Sequence, residues 1–162
     1  MNNASSARRN IAPTSVLSGR AALAYVDDVA LMVTDVSKWS DDDVLQILEA
    51  SAKLGNKVTS PGAITHFFGE TMGAAASQRK LIVEWMEKNG IQPTPRTITL
   101  TDSTLMRAAL TAYSWLTKTQ VKAFKINELD VACVWICNGL IADPAKVHEA
   151  MLGCYKLVGK KV

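Results

Sequence analysis

Asp102-Ser103-Thr104, with Arg107 one turn on, is the grouping in this chain best suited to chemistry. The β-branched run Thr97-Ile98-Thr99-Leu100-Thr101 stops at Asp102-Ser103, and an Ala-rich apolar segment runs at once to Trp115-Leu116. That pattern predicts a strand delivering its C-terminal end straight into a helix N-terminus. In α/β folds such junctions meet ligands, anions and partner proteins, because free N–H groups and the positive end of the helix dipole converge there. Ser103 is placed as the N-cap, and cap preferences favour that role. Arg107 is most simply a surface charge, yet it could reach an anion held at the helix start.

Other chemistry-bearing residues are scattered. His66 and Phe68 lie in an apolar strand-like run, and a cavity lined by them and Ser103 would make a ligand pocket. Cys133 and Cys137 share a helical face at a spacing two metal ligands could use, but no second Cys or His pair accompanies them. Buried cysteines on an apolar stripe are the commoner case. Asp41-Asp42-Asp43 reads as first-turn carboxylates interacting with a helix dipole. Ser103, Cys133 or Cys154 could be drawn into a triad with His66 or His148. Nothing local supports one, since there is no nucleophile-elbow glycine pattern and no Gly-rich phosphate loop. Neither metal nor cofactor is expected.

The elements that must position these residues follow from periodicity. Val29 to Val33 is a buried strand, with Ala22 to Val26 as a hairpin arm across Asp27-Asp28. Ser40 and Asp43 form a capping box, Trp39 and Val44 a hydrophobic staple, and Gly55 stops that helix. Ala63 to Phe68 is a second strand, and a second helix runs from Ala74 to the Asn89-Gly90 stop. Thr97 to Thr101 is the third strand. The helix Thr104 to Leu116 is apolar around much of its circumference, which predicts burial against the sheet and another helix. Val121 to Ile126 is a fourth strand, followed by a helix capped by Asn127. Asp143-Pro144 opens a last helix over 144–158, with Val147, Ala150, Met151, Cys154 and Val158 as its stripe. The sum is a single α/β domain: a four-stranded mixed or parallel sheet covered by helices, with an extra C-terminal helix.

Composition sets the outer bounds. The chain has 162 residues, 48% of them hydrophobic, enough for one domain with a real core. Its formal charge of +3 comes entirely from Arg8, Arg9 and Arg20, leaving residues 21–162 balanced. A balanced fold argues against nucleic acid as a partner. No apolar run approaches the ~18 residues of a membrane span. Three cysteines in apolar surroundings fit reduced, buried thiols and a cytoplasmic location. Residues 1–20 are rich in Ser, Asn, Ala and Arg, which predicts a disordered tail before a folded domain over 21–162. An acid-free, Arg-bearing start also suits an organelle transit peptide.

The run TDSTLMRAALTAYSWL followed by VKAFKINELDVACVWI resembles bacterial STAS-like domains, the superfamily of anti-sigma-factor antagonists. The likeness covers about residues 28–138, through Asp102-Ser103, Ala123-Phe124, Ala132 and Trp135. It implies a non-enzymatic switch or scaffold that docks to proteins, with Ser103 matching a serine phosphorylated by a partner kinase. This chain has Asp-Ser-Thr-Leu where that pattern has Asp-Ser-Ser-Gly. Two readings result. One is a regulatory module that binds a protein partner or a second copy through Asp102, Ser103, Thr104 and Arg107. The other is a ligand-binding protein or degenerate enzyme with a pocket near His66, Phe68 and Ser103.

Overall fold

The computed structural model describes residues 9–73, 75–116 and 119–162, with the side chains of 113–116 outside that description. Its strands are β1 (Arg9–Val16), β2 (Ala21–Asp27), β3 (Val29–Val36), β4 (Gly62–Gly69), β5 (Arg96–Leu100) and β6 (Gln120–Phe124). Its helices are α1 (Asp41–Leu54), α2 (Ala76–Asn89), α3 (Thr104–Leu116), α4 (Leu129–Cys137) and α5 (Pro144–Leu157). Six strands form one mixed sheet in the order β1-β2-β3-β4-β5-β6. β1, β2 and β3 are an antiparallel meander, and β3 through β6 run parallel. The fold is α/β, as expected, but with six strands in place of four.

The local signals hold where the physics is local. Ser40 and Asp43 complete the capping box on α1, with Asp43 N to Ser40 Oγ at 3.0 Å and Ser40 N to Asp43 Oδ2 at 3.1 Å. Asp43 also takes Arg20 at 2.6 Å, which holds its carboxyl below the usual range. Asp143 caps α5 by accepting from Ala145 N and Lys146 N, with Pro144 at the first turn. The cap assigned to Asn127 is different. Residues Ile126–Glu128 make a 3-10 turn, and Glu128 accepts instead from Lys125 N at 2.8 Å. The second helix begins at Ala76, and Ala74 lies outside the described residues.

The expectation that 1–20 is a disordered tail fails for its second half. Arg9–Val16 pairs antiparallel with β2 and forms the sheet's outer edge. Its register shifts between Ile11 and Thr14, so Pro13 sits at a bulge on an edge strand, where a missing N–H costs least. The turn into β2 uses positive φ at Leu17, Ser18 and Gly19. Residues 1–8 lie outside the description.

Two cores flank the sheet. Ala22, Ala24, Leu31, Val33, Ile64, Ile98 and Leu100 pack against α4 and α5. Leu23, Val36 and Trp39 pack against Val44 and Ile47 of α1, with Leu81 and Ile82 of α2 at the margin. The α5 stripe is buried on its own domain, Met151 and Cys154 both at 0% exposure. Its Gly153 lies against β1, where an added Cβ would meet Pro13 Cγ at 2.6 Å. Asp28, at the β2–β3 turn, is buried and accepts from Ile141 N and Ala142 N, anchoring the α4–α5 link.

The third helix departs from expectation. α3 runs beside β6 at the sheet's other edge. Leu105, Ala108, Ala109, Thr111 and Ala112 are exposed, while Met106, Arg107 and Leu110 are half-buried. An apolar composition predicts a partner surface, and within the described residues the domain supplies only one side of it. No described helix is long and apolar enough to cross a membrane.

Candidate functional site

The β5–α3 junction is built by short-range bonds. Thr101 N donates to Phe124 O at 2.9 Å, the last link between the ends of β5 and β6. Thr101 Oγ1 then accepts from Ser103 N at 3.1 Å, which turns the chain. Asp102 Oδ1 accepts from Ile126 N at 3.4 Å, tying the junction to the link before α4. Ser103 Oγ accepts from Met106 N at 3.2 Å, the geometry of an N-cap. Arg107 turns its Nη2 back to Thr104 Oγ1 at 3.4 Å, and its Nε is buried with no partner among the described residues. Asp102, Ser103 and Thr104 are exposed, and Leu105 beside them is 82% exposed.

His66 and Phe68 belong to a different arrangement. Alternate residues of β4 face opposite sides, so Gly62, Ile64, His66 and Phe68 look toward α4 and α5. His66 is 3% exposed, with Nδ1 2.7 Å from the Tyr155 hydroxyl. Its ring stacks on Phe68 at 4.0 Å between centroids. Lys160 Nζ lies 5.0 Å over the Phe68 ring and 2.9 Å from Asp35 Oδ2. Burial pushes His66 down to about 4, and the Asp102 carboxylate opposes that weakly. The imidazole is therefore neutral at physiological pH, wedged among side chains that fill the space around it.

The fold thus brings Asp102 within electrostatic reach of His66, while on the helix start Ser103 caps Met106 N and Arg107 turns back to Thr104. Tyr155, Lys160 and Asp35 were not singled out beforehand. Tyr155 stands four residues after Met151, so the helical stripe carried a signal for it. Lys160 and Asp35 carried none, since their pairing joins residues far apart in the chain.

Strand order bears on what this end of the sheet can do. Ligand crevices in open α/β sheets form where successive crossovers reverse direction. From β3 to β6 the order advances one way without reversal, so no such crevice is generated beside Ser103. The three cysteines are free and buried, and burial pushes Cys133 and Cys154 up to about 12 and Cys137 up to about 11. Thiols so shifted stay protonated and unreactive at neutral pH.

Comparison with family models, curated proteins and solved structures finds no match to this chain. The STAS-like likeness therefore rests on the residues quoted for it.

Proposed function

We propose that this chain is a non-enzymatic interaction module of STAS-like build that docks a protein partner through the β5–α3 junction. The observation that carries this reading is Leu105, a large apolar side chain at 82% exposure directly after exposed Asp102, Ser103 and Thr104. Exposed Ala108, Ala109 and Ala112 extend an apolar strip along α3 from that point. A contiguous apolar surface rimmed by polar groups marks a protein contact more often than a small-molecule site. Arg107, one turn along the same helix, suits a partner with acidic groups around an apolar centre.

The reading that places a ligand pocket between His66 and Ser103 has less support. His66 already bonds Tyr155, and Phe68 is covered by His66 on one side and approached by Lys160.

The test is retention from the native source on wild-type protein, Leu105→Glu, and a control, Val131→Glu, at an exposed apolar position of α4. The proposal expects a partner held by wild type and the control and lost with Leu105→Glu, at equal melting temperature. Equal retention by all three overturns it. A mass that rises with concentration in the pure protein, and stays monomeric in Leu105→Glu, would assign the surface to a second copy instead.

A further inference from the structure

The two faces of the sheet are not equally filled. Along β4, Gly62, Ile64 and His66 are buried toward α4 and α5, whereas Ala63, Thr65 and Phe67 are only half-buried toward α1 and α2. The under-filled side holds a cavity of about 220 Å³. Its floor is made where strand register puts small residues side by side, Ala30 opposite Ala63 and Met32 opposite Thr65. Leu48 and Ala52 of α1 and Trp85 and Met86 of α2 form its roof. Apart from Lys57 its lining carries no charge.

Its mouth lies at the N-terminal ends of the parallel strands, between the α1–β4 and α2–β5 links. Lys57, Thr59 and Ser60 come from one link and Gln92 from the other. Thr59 Oγ1 donates to Gln92 O at 3.0 Å and ties the two together. Arg9 holds the first link from β1, donating to Gly55 O, to Val58 O at 3.1 Å and to Ser60 Oγ at 3.2 Å. Asn56 and Lys57, within this link, both take positive φ, 52° and 56°. The mouth is thus already shaped, as small-molecule sites are.

α2 covers this space without being locked down. Gln78 is its single buried residue, bonded to Trp39 O at 2.7 Å, and its remaining described side chains are half-buried or exposed. The space is a cleft open on one side, lined mostly by apolar side chains beneath two helices. An apolar cavity of ~150 Å³ is enough to bind benzene, so this one suits a substituted ring or a chain of about eight carbons.

We propose that this cavity binds a small apolar carboxylate, its hydrocarbon part between the sheet and α1/α2 and its acid group at Lys57 and the Ser60 hydroxyl. Apolar walls reward the hydrocarbon, and the Lys57 ammonium and the Ser60 hydroxyl, which accepts from Arg9 and keeps its own proton to donate, match a carboxylate. The site lies on the sheet face opposite His66, at the end of the strands opposite Ser103. It does not depend on the docking role of α3.

The probes are octanoate and decanoate, with octanol as the uncharged control, titrated by calorimetry. In parallel, methyl spectra of protein labelled at methionine would follow Met32 and Met86. The proposal expects saturable binding of both acids, shifts at Met32 and Met86, and a raised melting temperature. Ala63→Leu, which fills the floor, should weaken binding at least about tenfold, the scale set by removing room for a few methylenes. Lys57→Ala should weaken the acids about threefold, as an exposed ion pair does, and leave octanol unchanged. The proposal is overturned by no saturation with either acid, or by shifts confined to methionines outside the lining. It is also overturned by binding that survives Ala63→Leu intact. Equal loss of acid and octanol in Lys57→Ala would overturn the acid-headed class. Should Ala63→Leu fail to fold, the wild-type methyl shifts alone decide.

Discussion

His66 Nδ1 and the Tyr155 hydroxyl sit 2.7 Å apart, joining the middle of the parallel sheet to the C-terminal helix across 89 positions of sequence. Both side chains are nearly closed off from water. The bond satisfies two polar groups that burial would otherwise penalise, and it fixes α5 over β4. Desolvation keeps the imidazole neutral, and its pKa falls from 6.5 to about 4.

A pH dependence follows from that shift. Above pH 6.5 the residue is neutral in both states and contributes no slope. Between 6.5 and about 4 the unfolded chain takes up a proton that the folded chain refuses, so stability falls as pH falls. The loss at the bottom of that window is about 3 kcal/mol. Urea unfolding across the range should show it, and His66→Leu should flatten the curve by one proton. Parallel curves for the two proteins would refute the assignment.

A chain starting at Ala21 loses β1 together with the Arg20–Asp43 pair. It strips cover from Ala22, Ala24 and Val26 and leaves the β2 edge open to pairing with other chains. Thermal unfolding of that truncation should lose its sharp transition, and light scattering should show aggregates. A monomer melting like the full chain would mean that β1 contributes little.

Met151→Asp puts a carboxylate at a position with 0% exposure, facing the sheet. The expected cost is several kcal/mol, enough to unfold a marginal domain. Leu152→Asp, one residue on and 42% exposed, is the matched control and should stay near wild type in the same denaturant titration.

Ser103→Ala removes the acceptor for Met106 N and should cost about 1 kcal/mol. Ser103→Asp keeps a capping oxygen and adds charge at the positive helix end, so its stability should match wild type. Association measured beside unfolding separates the roles. If Ser103→Asp changes partner binding at unchanged stability, the cap is also a contact. If both variants bind as wild type does, capping is its whole role.

What the amino-acid order determined by itself was whatever is settled within a few residues. The Ser40–Asp43 box, the Asp143-Pro144 start, the Gly55 and Asn89-Gly90 stops and the Ser103 cap each close over two to four positions, where backbone geometry leaves few alternatives. The alternation of β-branched and helical segments likewise reports α/β without long-range information. Tertiary structure decided the rest. β1 is an edge strand with Pro13 in a bulge and a Leu17-Ser18-Gly19 turn, so its pairing energy comes from β2 and leaves little pattern in its own residues. The exposure of α3 depends on what lies beyond β6, and its apolar periodicity is the same whether or not a neighbour covers it. The cavity arises from a register that sets Ala30 against Ala63, and the His66–Tyr155 bond from where α5 lands. Periodicity shows which face of an element is apolar; only the packed chain shows what that face meets.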